Sequence, residues 1–78
     1  MKVIVEISKT EVNTMGIKKA IAAGWFTIWT PERIKGAFNF GHGTMEDFKR
    51  YKKNNACNCI IKEYDADELA NMTPYYNN

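Results

Sequence analysis

The sequence predicts an α+β fold, a two-layer sandwich of ferredoxin-like type, from three observations. Short β-branched or aromatic runs alternate with segments of helical periodicity in the order β-α-β-β-α-β. The two middle strands follow each other directly, as in a hairpin. A short helix follows the last strand. We therefore expect an antiparallel sheet with two helices on one face and a short C-terminal helix, in one domain spanning residues 1–78.

The first two elements are a strand and a helix. The β-branched run "KVIVEIS", Lys2–Ser8, alternates Val3, Val5 and Ile7 with Lys2, Ile4 and Glu6, and its four apolar residues predict a central strand covered at least partly on both sides. In the following "KTEVNTMGIKKAIAAG", apolar residues recur at helical spacing. Ser8 or Thr10 can cap this helix, and Gly24 is a suitable C-terminal stop.

The runs "WFTIW" and "IKGAFNF" predict the hairpin, with "TPER" between them as a type I turn that has Pro31 at its second position. Two registers are open: Trp29 pairs with either Ile34 or Lys35, and a slip of one residue exchanges the two faces. A four-residue loop favours the pairing with Ile34.

The last three elements are a helix, a strand and a helix. Thr44 after "GHGT" is a natural N-cap, and the following helix carries acidic residues first and "KRYKK" later, an order that suits its dipole. The run "CNCIIKEY" predicts the fourth strand. Asp65 then caps a short helix over "ADELANM", which ends before Pro74.

Both registers leave large apolar side chains on the face of the sheet that no predicted helix covers. Monomers rarely expose a large apolar patch. Three covers are open: a folded-back tail, a second copy of the chain, or a partner. The tail would contribute the apolar residues of its last ten positions: Leu69, Met72, Tyr75 and Tyr76.

Charge, cysteine spacing and the absence of long apolar runs narrow the class of protein to be expected. A net charge of +2 is too small to predict nucleic-acid binding by itself. Two positions apart in a strand, Cys57 and Cys59 would have Cα atoms at or beyond the usual disulfide distance, and they are expected to be reduced. No apolar run has the length of a membrane span, and "MKVIVEIS" does not resemble a signal peptide. We expect a cytoplasmic protein without a membrane partner.

The residues that could carry chemistry do not form a recognisable site. His42, the single histidine, lies between glycines in "FGHGT" and is interpreted as a solvated loop residue. Cys57, Cys59 and His42 lack the ligand number and spacing of structural zinc. The sequence therefore predicts no catalytic residue, metal or cofactor, and a protein that is not an enzyme.

The run "KGAFNF", Lys35–Phe40, resembles the strand-three signature of the RNA-recognition-motif family, shortened by one residue after Gly36. The resemblance implies nucleic-acid binding through an open aromatic sheet face. That alternative function would use residues of this run and of the basic cluster in "KRYKK": Lys35, Phe38, Phe40, Lys49, Arg50, Lys52 and Lys53.

The main functional hypothesis is a small non-catalytic protein-interaction module. Aromatic residues anchor protein interfaces, and this chain has an excess of them for its predicted core. The expected contact residues with a partner or a second subunit are Trp25, Phe26, Ile28, Trp29, Tyr75 and Tyr76. Small size and an Asn-, Lys- and Ile-rich composition suggest a phage-encoded inhibitor or anti-defence accessory protein. It would bind a larger host protein or complex in the host cytoplasm, and we expect a homodimer.

Overall fold

The structure is a computed structural model that describes residues 1–37, 45–55 and 58–76. Its described part contains three strands and five helices. In chain order these are β1 (Lys2–Ser8), α1 (Lys9–Met15), α2 (Ile17–Ala22), β2 (Thr27–Trp29), α3 (Pro31–Ala37), α4 (Met45–Asn55), β3 (Cys59–Asp65) and α5 (Ala66–Met72).

The three strands form one antiparallel sheet in the order β2-β1-β3. Trp29 pairs with Ile4 of β1, and Ile7 of β1 pairs with Ile60 of β3. Because side chains alternate along a strand, the odd and even residues of β1 face opposite sides of the sheet. Val5, at the centre of the sheet, lies on the odd side.

The odd side of β1 faces the larger core. Val3, Val5 and Ile7 are fully buried there against α2 and α5. Ile21 of α2 and Leu69 of α5 are also fully buried. Burial of each such side chain stabilises the fold by about 1.5–3 kcal/mol, before the entropy cost of ordering the chain. The tail packs on this same side, where Met72 and Tyr76 contact the core.

The even side of β1 is also covered, which answers the question of the helix-free face. Ile4 is fully buried beneath Ile34 of α3, also fully buried, and Phe48 of α4. Trp29 and Ile61 pack against this smaller core from the two outer strands. The chain itself therefore supplies the second cover through α3 and α4, and the tail lies on the opposite side of the sheet.

The predicted second strand of the hairpin is wrong for the part that the structure describes. Pro31–Ala37 is a helix, so Trp29 pairs with neither Ile34 nor Lys35. Thr30 begins this helix: its carbonyl accepts from the Ile34 N–H at 2.9 Å, and its hydroxyl accepts from the Arg33 N–H at 3.2 Å. The helix prevails because it buries Ile34 on the sheet.

The mixed α+β class and the antiparallel sheet are confirmed. The ferredoxin-like order is not confirmed, because helices lie on both faces and the described sheet has three strands. The predicted first helix is divided at Gly16, whose φ of +86° interrupts the helical path. Phe38, Phe40 and Thr44 lie outside the described residues. No helix in the described part has the length and apolar character needed to cross a membrane.

Candidate interaction surfaces

An exposed tryptophan and an exposed tyrosine both adjoin Gly24, at the turn between α2 and β2. The side chain of Trp25 is 54% exposed and that of Tyr75 is 68% exposed. A Cβ atom built on Gly24 would lie 3.1 Å from the ring of Tyr75, so this ring lies against the glycine backbone next to Trp25. We call Gly24, Trp25 and Tyr75 the aromatic corner.

Hydrogen bonds fix the backbone of both halves of the aromatic corner. The N–H of Trp25 donates to the carbonyl of Ala20 at 2.9 Å. In the tail, buried Thr73 donates from its hydroxyl to the carbonyl of Ala22 at 3.5 Å and accepts from the N–H of Tyr75 at 3.2 Å. Two exposed rings are thus presented on ordered backbone.

The other predicted contact residues lie in the two cores. Phe26, Ile28 and Tyr76 are partly buried against the larger core, and Trp29 is partly buried against the smaller one. Of the predicted set, only Trp25 and Tyr75 are strongly exposed side chains.

A cleft of about 450 Å³ lies beside Trp25. Its lining includes Glu6, Ser8, Glu11 and Cys59. Because Glu6 is paired with Lys52 within the protein, the cleft joins an aromatic wall to the acidic side chain of Glu11. That combination suits a positively charged side chain, which can contact both the ring face and a carboxylate.

Trp29 is held by charged neighbours on the even side of the sheet. Its indole N–H donates to Glu6 Oε1 at 3.0 Å. The Arg33 guanidinium carbon lies 4.4 Å from its ring centroid, and Lys52 Nζ lies 4.8 Å away. The ring of Phe48 packs beside it with the centroids 5.0 Å apart. Because Trp29 is enclosed in this way, we assign it to the fold rather than to a contact surface.

Glu6 is the acceptor at the centre of this cluster. Partial burial raises the pKa of its carboxyl, but hydrogen bonds from Trp29, Lys52 and Cys59 and the charge of Lys52 lower that pKa. The hydrogen bonds and the charge of Lys52 together outweigh the effect of burial, so the pKa of Glu6 lies below its ordinary value. Glu6 is therefore an ionised structural acceptor at neutral pH.

Most of the basic cluster on α4 is paired with acidic residues. Lys49 Nζ lies 2.9 Å from Glu63 and Lys52 Nζ lies 3.3 Å from Glu6. The Glu63 hydrogen bond is the main cause that raises the pKa of Lys49. The more exposed Arg50 lies 3.9 Å from Asp47.

Two further cations of the nucleic-acid alternative, Lys35 and Lys53, are exposed on α3 and α4. The aromatic residues of that alternative, Phe38 and Phe40, lie outside the described residues.

A groove of about 770 Å³ lies between α2, α5 and β3 on the odd side of the sheet. Three lysines, Lys18, Lys19 and Lys62, line it together with Tyr64 and Glu68. Burial and the charge of Glu68 both raise the pKa of Tyr64, so its hydroxyl stays protonated at neutral pH. No local pattern in the sequence points to this groove, because only the topology brings residues of β3 and α2 together.

Within residues 1–37, 45–55 and 58–76, no group of three or more His, Cys, Asp or Glu side chains could hold a metal ion. His42 and Cys57 lie outside those ranges. Cys59 is half-buried, is not part of a disulfide among the described residues, and hydrogen-bonds to Glu6.

Comparison with known protein families, with curated proteins and with solved structures finds no significant match for this chain.

Proposed function

We propose that this protein is a small protein-binding module that contacts its partner through the aromatic corner and acts by binding rather than by catalysis. The observation that carries the proposal is the exposure of Trp25 and Tyr75, which both adjoin Gly24 on hydrogen-bonded backbone. Tryptophan and tyrosine are enriched among the residues that dominate binding energy. Rings held on ordered backbone lose little further entropy when they are buried in an interface.

The aromatic corner is too small to form a complete protein interface by itself. A standard interface buries about 800 Å² on each partner. An aromatic side chain contributes at most about 150–250 Å² of buried area. Trp25 and Tyr75 therefore act as the anchor of a larger contact. The acidic cleft beside Trp25 extends this contact and favours a partner that inserts a lysine or arginine next to the ring.

The proposed partner is a larger host protein or complex, met by a phage-encoded inhibitor in the host cytoplasm. This part of the proposal is supported by the size and composition of the chain. A second copy of the chain is a further candidate for the same surface. The sequence-based expectation of a homodimer rests on an uncovered face of the sheet. That reason does not hold, because α3 and α4 cover the face.

Nucleic-acid binding receives less support than protein binding. Lys49 and Lys52 are each within 3.3 Å of a carboxylate, so these cations are largely neutralised for phosphate. The aromatic stacking face implied by the resemblance also needs a strand where Lys35 and Gly36 are helical. Titration of the protein with single-stranded RNA or DNA at low salt tests this alternative through quenching of tryptophan fluorescence.

The test of the main proposal compares immobilised wild-type protein with a Trp25→Ala/Tyr75→Ala variant in capture from a bacterial lysate. A matched control is Tyr51→Ala, which removes an aromatic side chain of 46% exposure from α4, a helix that lines no part of the cleft beside Trp25. We expect the double variant to lose at least one specifically captured protein that the control retains. Sedimentation velocity on the same proteins determines whether a second copy occupies the surface. A captured set that is identical for all three proteins, with no self-association, refutes the proposal.

A further inference from the structure

The outer edge of β3 carries backbone groups that no other strand uses in the part of the chain that the structure describes. The N–H of Lys9 donates to the carbonyl of Asn58 at 2.8 Å and extends the β1–β3 ladder. In an antiparallel pair, the backbone N–H and C=O groups of every second residue bond to the partner strand. The backbone groups of Ile60, Lys62 and Tyr64 therefore point towards β1. Ile61 and Glu63 consequently direct their N–H and C=O groups away from the sheet.

The basic groove lies directly beside this edge, on the odd side of the sheet. Lys62 belongs both to β3 and to the lining of the groove, and Lys18 and Lys19 approach from α2. The groove has an apolar part formed by Ile17, Ala22 and Met72. An extended segment placed along β3 would direct every second side chain over these lysines.

The charges of the groove are not neutralised in the described residues. Among these residues, the ion pairs within 4.0 Å use Lys49, Arg50 and Lys52, and none of them uses a lysine of the groove. Glu68 is the single acidic residue that lines the groove, beside three lysines. The groove therefore has an excess of positive charge that favours an acidic ligand.

We propose that the edge of β3 and this basic groove bind an extended acidic segment of another protein, which adds to the sheet as a fourth strand. The backbone of the segment would bond to Ile61 and Glu63, and its acidic side chains would meet Lys18, Lys19 and Lys62. Strand addition of this kind takes its affinity from main-chain bonds and its specificity from alternate side chains. The proposal does not depend on the aromatic corner, which is a separate surface.

The same charges argue against a second copy of the chain as the occupant. Two β3 edges paired antiparallel would bring two copies of Lys62 towards each other across the new strand pair. Like charges at such positions are destabilising, and lysines on edge strands are a common device against self-pairing. An acidic segment would instead place carboxylates near Lys62, and these opposite charges attract.

The test uses a fluorescein-labelled peptide of alternating Glu and Val residues, titrated with the full chain by fluorescence anisotropy at low ionic strength. We expect saturable binding that weakens at least about tenfold in a Lys18→Glu/Lys19→Glu/Lys62→Glu variant. The matched control is Lys9→Glu/Lys35→Glu/Lys53→Glu, which changes the net charge equally at exposed lysines outside the groove. Circular dichroism confirms that both variants are folded.

Three further measurements separate strand addition from other modes of binding. A peptide with N-methylated valines cannot donate the main-chain bonds and should bind at least about tenfold more weakly. Hydrogen exchange should show new protection at the Ile61 and Glu63 amides when the unmodified peptide is bound. A peptide of alternating Lys and Val should not bind.

The proposal is overturned by an absence of saturable binding or by equal weakening in both triple variants. It is also overturned by undiminished binding of the N-methylated peptide, or by self-association of the chain that the groove variant changes.

Discussion

The indole N–H of Trp29 donates a 3.0 Å hydrogen bond to Glu6, a residue of the central strand whose carboxylate also lies 3.3 Å from Lys52. The side chains of Glu6 and Lys52 are only 16% and 19% exposed. This contact joins the outer strand β2, the central strand β1 and the helix α4 on the even side of the sheet. It explains how a polar residue is accommodated in the middle of a strand covered on both faces.

The first prediction is that Glu6→Ala destabilises the protein by about 1–3 kcal/mol, because it leaves the indole N–H of Trp29 and the ammonium of Lys52 without their acceptor in a half-buried site. Urea unfolding monitored by circular dichroism measures the loss. The control is Glu46→Ala, which removes an exposed ion pair with Lys49 and should cost about 0–1 kcal/mol. Equal losses in the two variants would contradict a structural role for the Glu6 cluster.

The second prediction concerns the pH dependence that Glu6 contributes. Its pKa in the folded protein is lowered below the ordinary value of 4.5, so folding favours the ionised form. The stability contributed by this ionisation is fully present above the pKa of the unfolded state and is lost as the pH falls through the lower pKa of the folded state. The gap in unfolding free energy between wild type and Glu6→Gln should therefore be largest near neutral pH and shrink at acidic pH. A gap that stays constant across this range would show that Glu6 is not the titrating group.

The third prediction tests the cover that α3 provides for the second face of the sheet. Ile34 is fully buried against Ile4 and Phe48, so Ile34→Ala should lower the unfolding free energy by about 2–5 kcal/mol. The neighbouring Lys35 is exposed on the same helix, and Lys35→Ala should change stability by less than about 0.5 kcal/mol. Urea unfolding of both variants makes the comparison. Similar small effects would mean that residues 31–37 do not pack on the sheet as a helix.

The error over α3 has a specific physical origin. A type I turn and the first turn of a helix have nearly the same backbone angles, so Thr30 and Pro31 fit both. Thr at the N-cap, Pro at the first helical position and Glu32 in the first turn are also a helix-start signal. The choice depended on the burial of Ile34 beneath the sheet, and this tertiary contact cannot be read from local spacing.

Elements with strong local signals were predicted correctly. Asp65 caps α5 by accepting from the Asp67 N–H at 3.2 Å, and the helix covers the predicted Ala66–Met72. The aromatic corner was predicted in part, because exposure of Trp25 depends on the positive φ of Gly24 and on where the tail folds. The basic groove was not predicted, since Lys62 lies far along the chain from α2 and meets it only through the sheet order.

The fourth prediction concerns Gly24, where two separate costs of adding a side chain can be measured. Its φ of +87° is unfavourable for any residue with a Cβ atom, which costs about 1–2 kcal/mol. In addition, the Cβ of alanine would lie 3.1 Å from the ring of Tyr75, so the ring must move. We therefore expect Gly24→Ala to destabilise wild type more than it destabilises a Tyr75→Ala background, where only the backbone cost remains.

Urea unfolding of the four proteins in this double-mutant cycle gives the coupling between Gly24 and Tyr75 directly. A positive coupling of about 0.5 kcal/mol or more is the expected result, since residues in contact usually couple by at least that amount. A coupling of zero would mean that the ring of Tyr75 does not rest on Gly24 in solution. The tail would then not present Tyr75 beside Trp25, and the aromatic corner would lose one of its two rings.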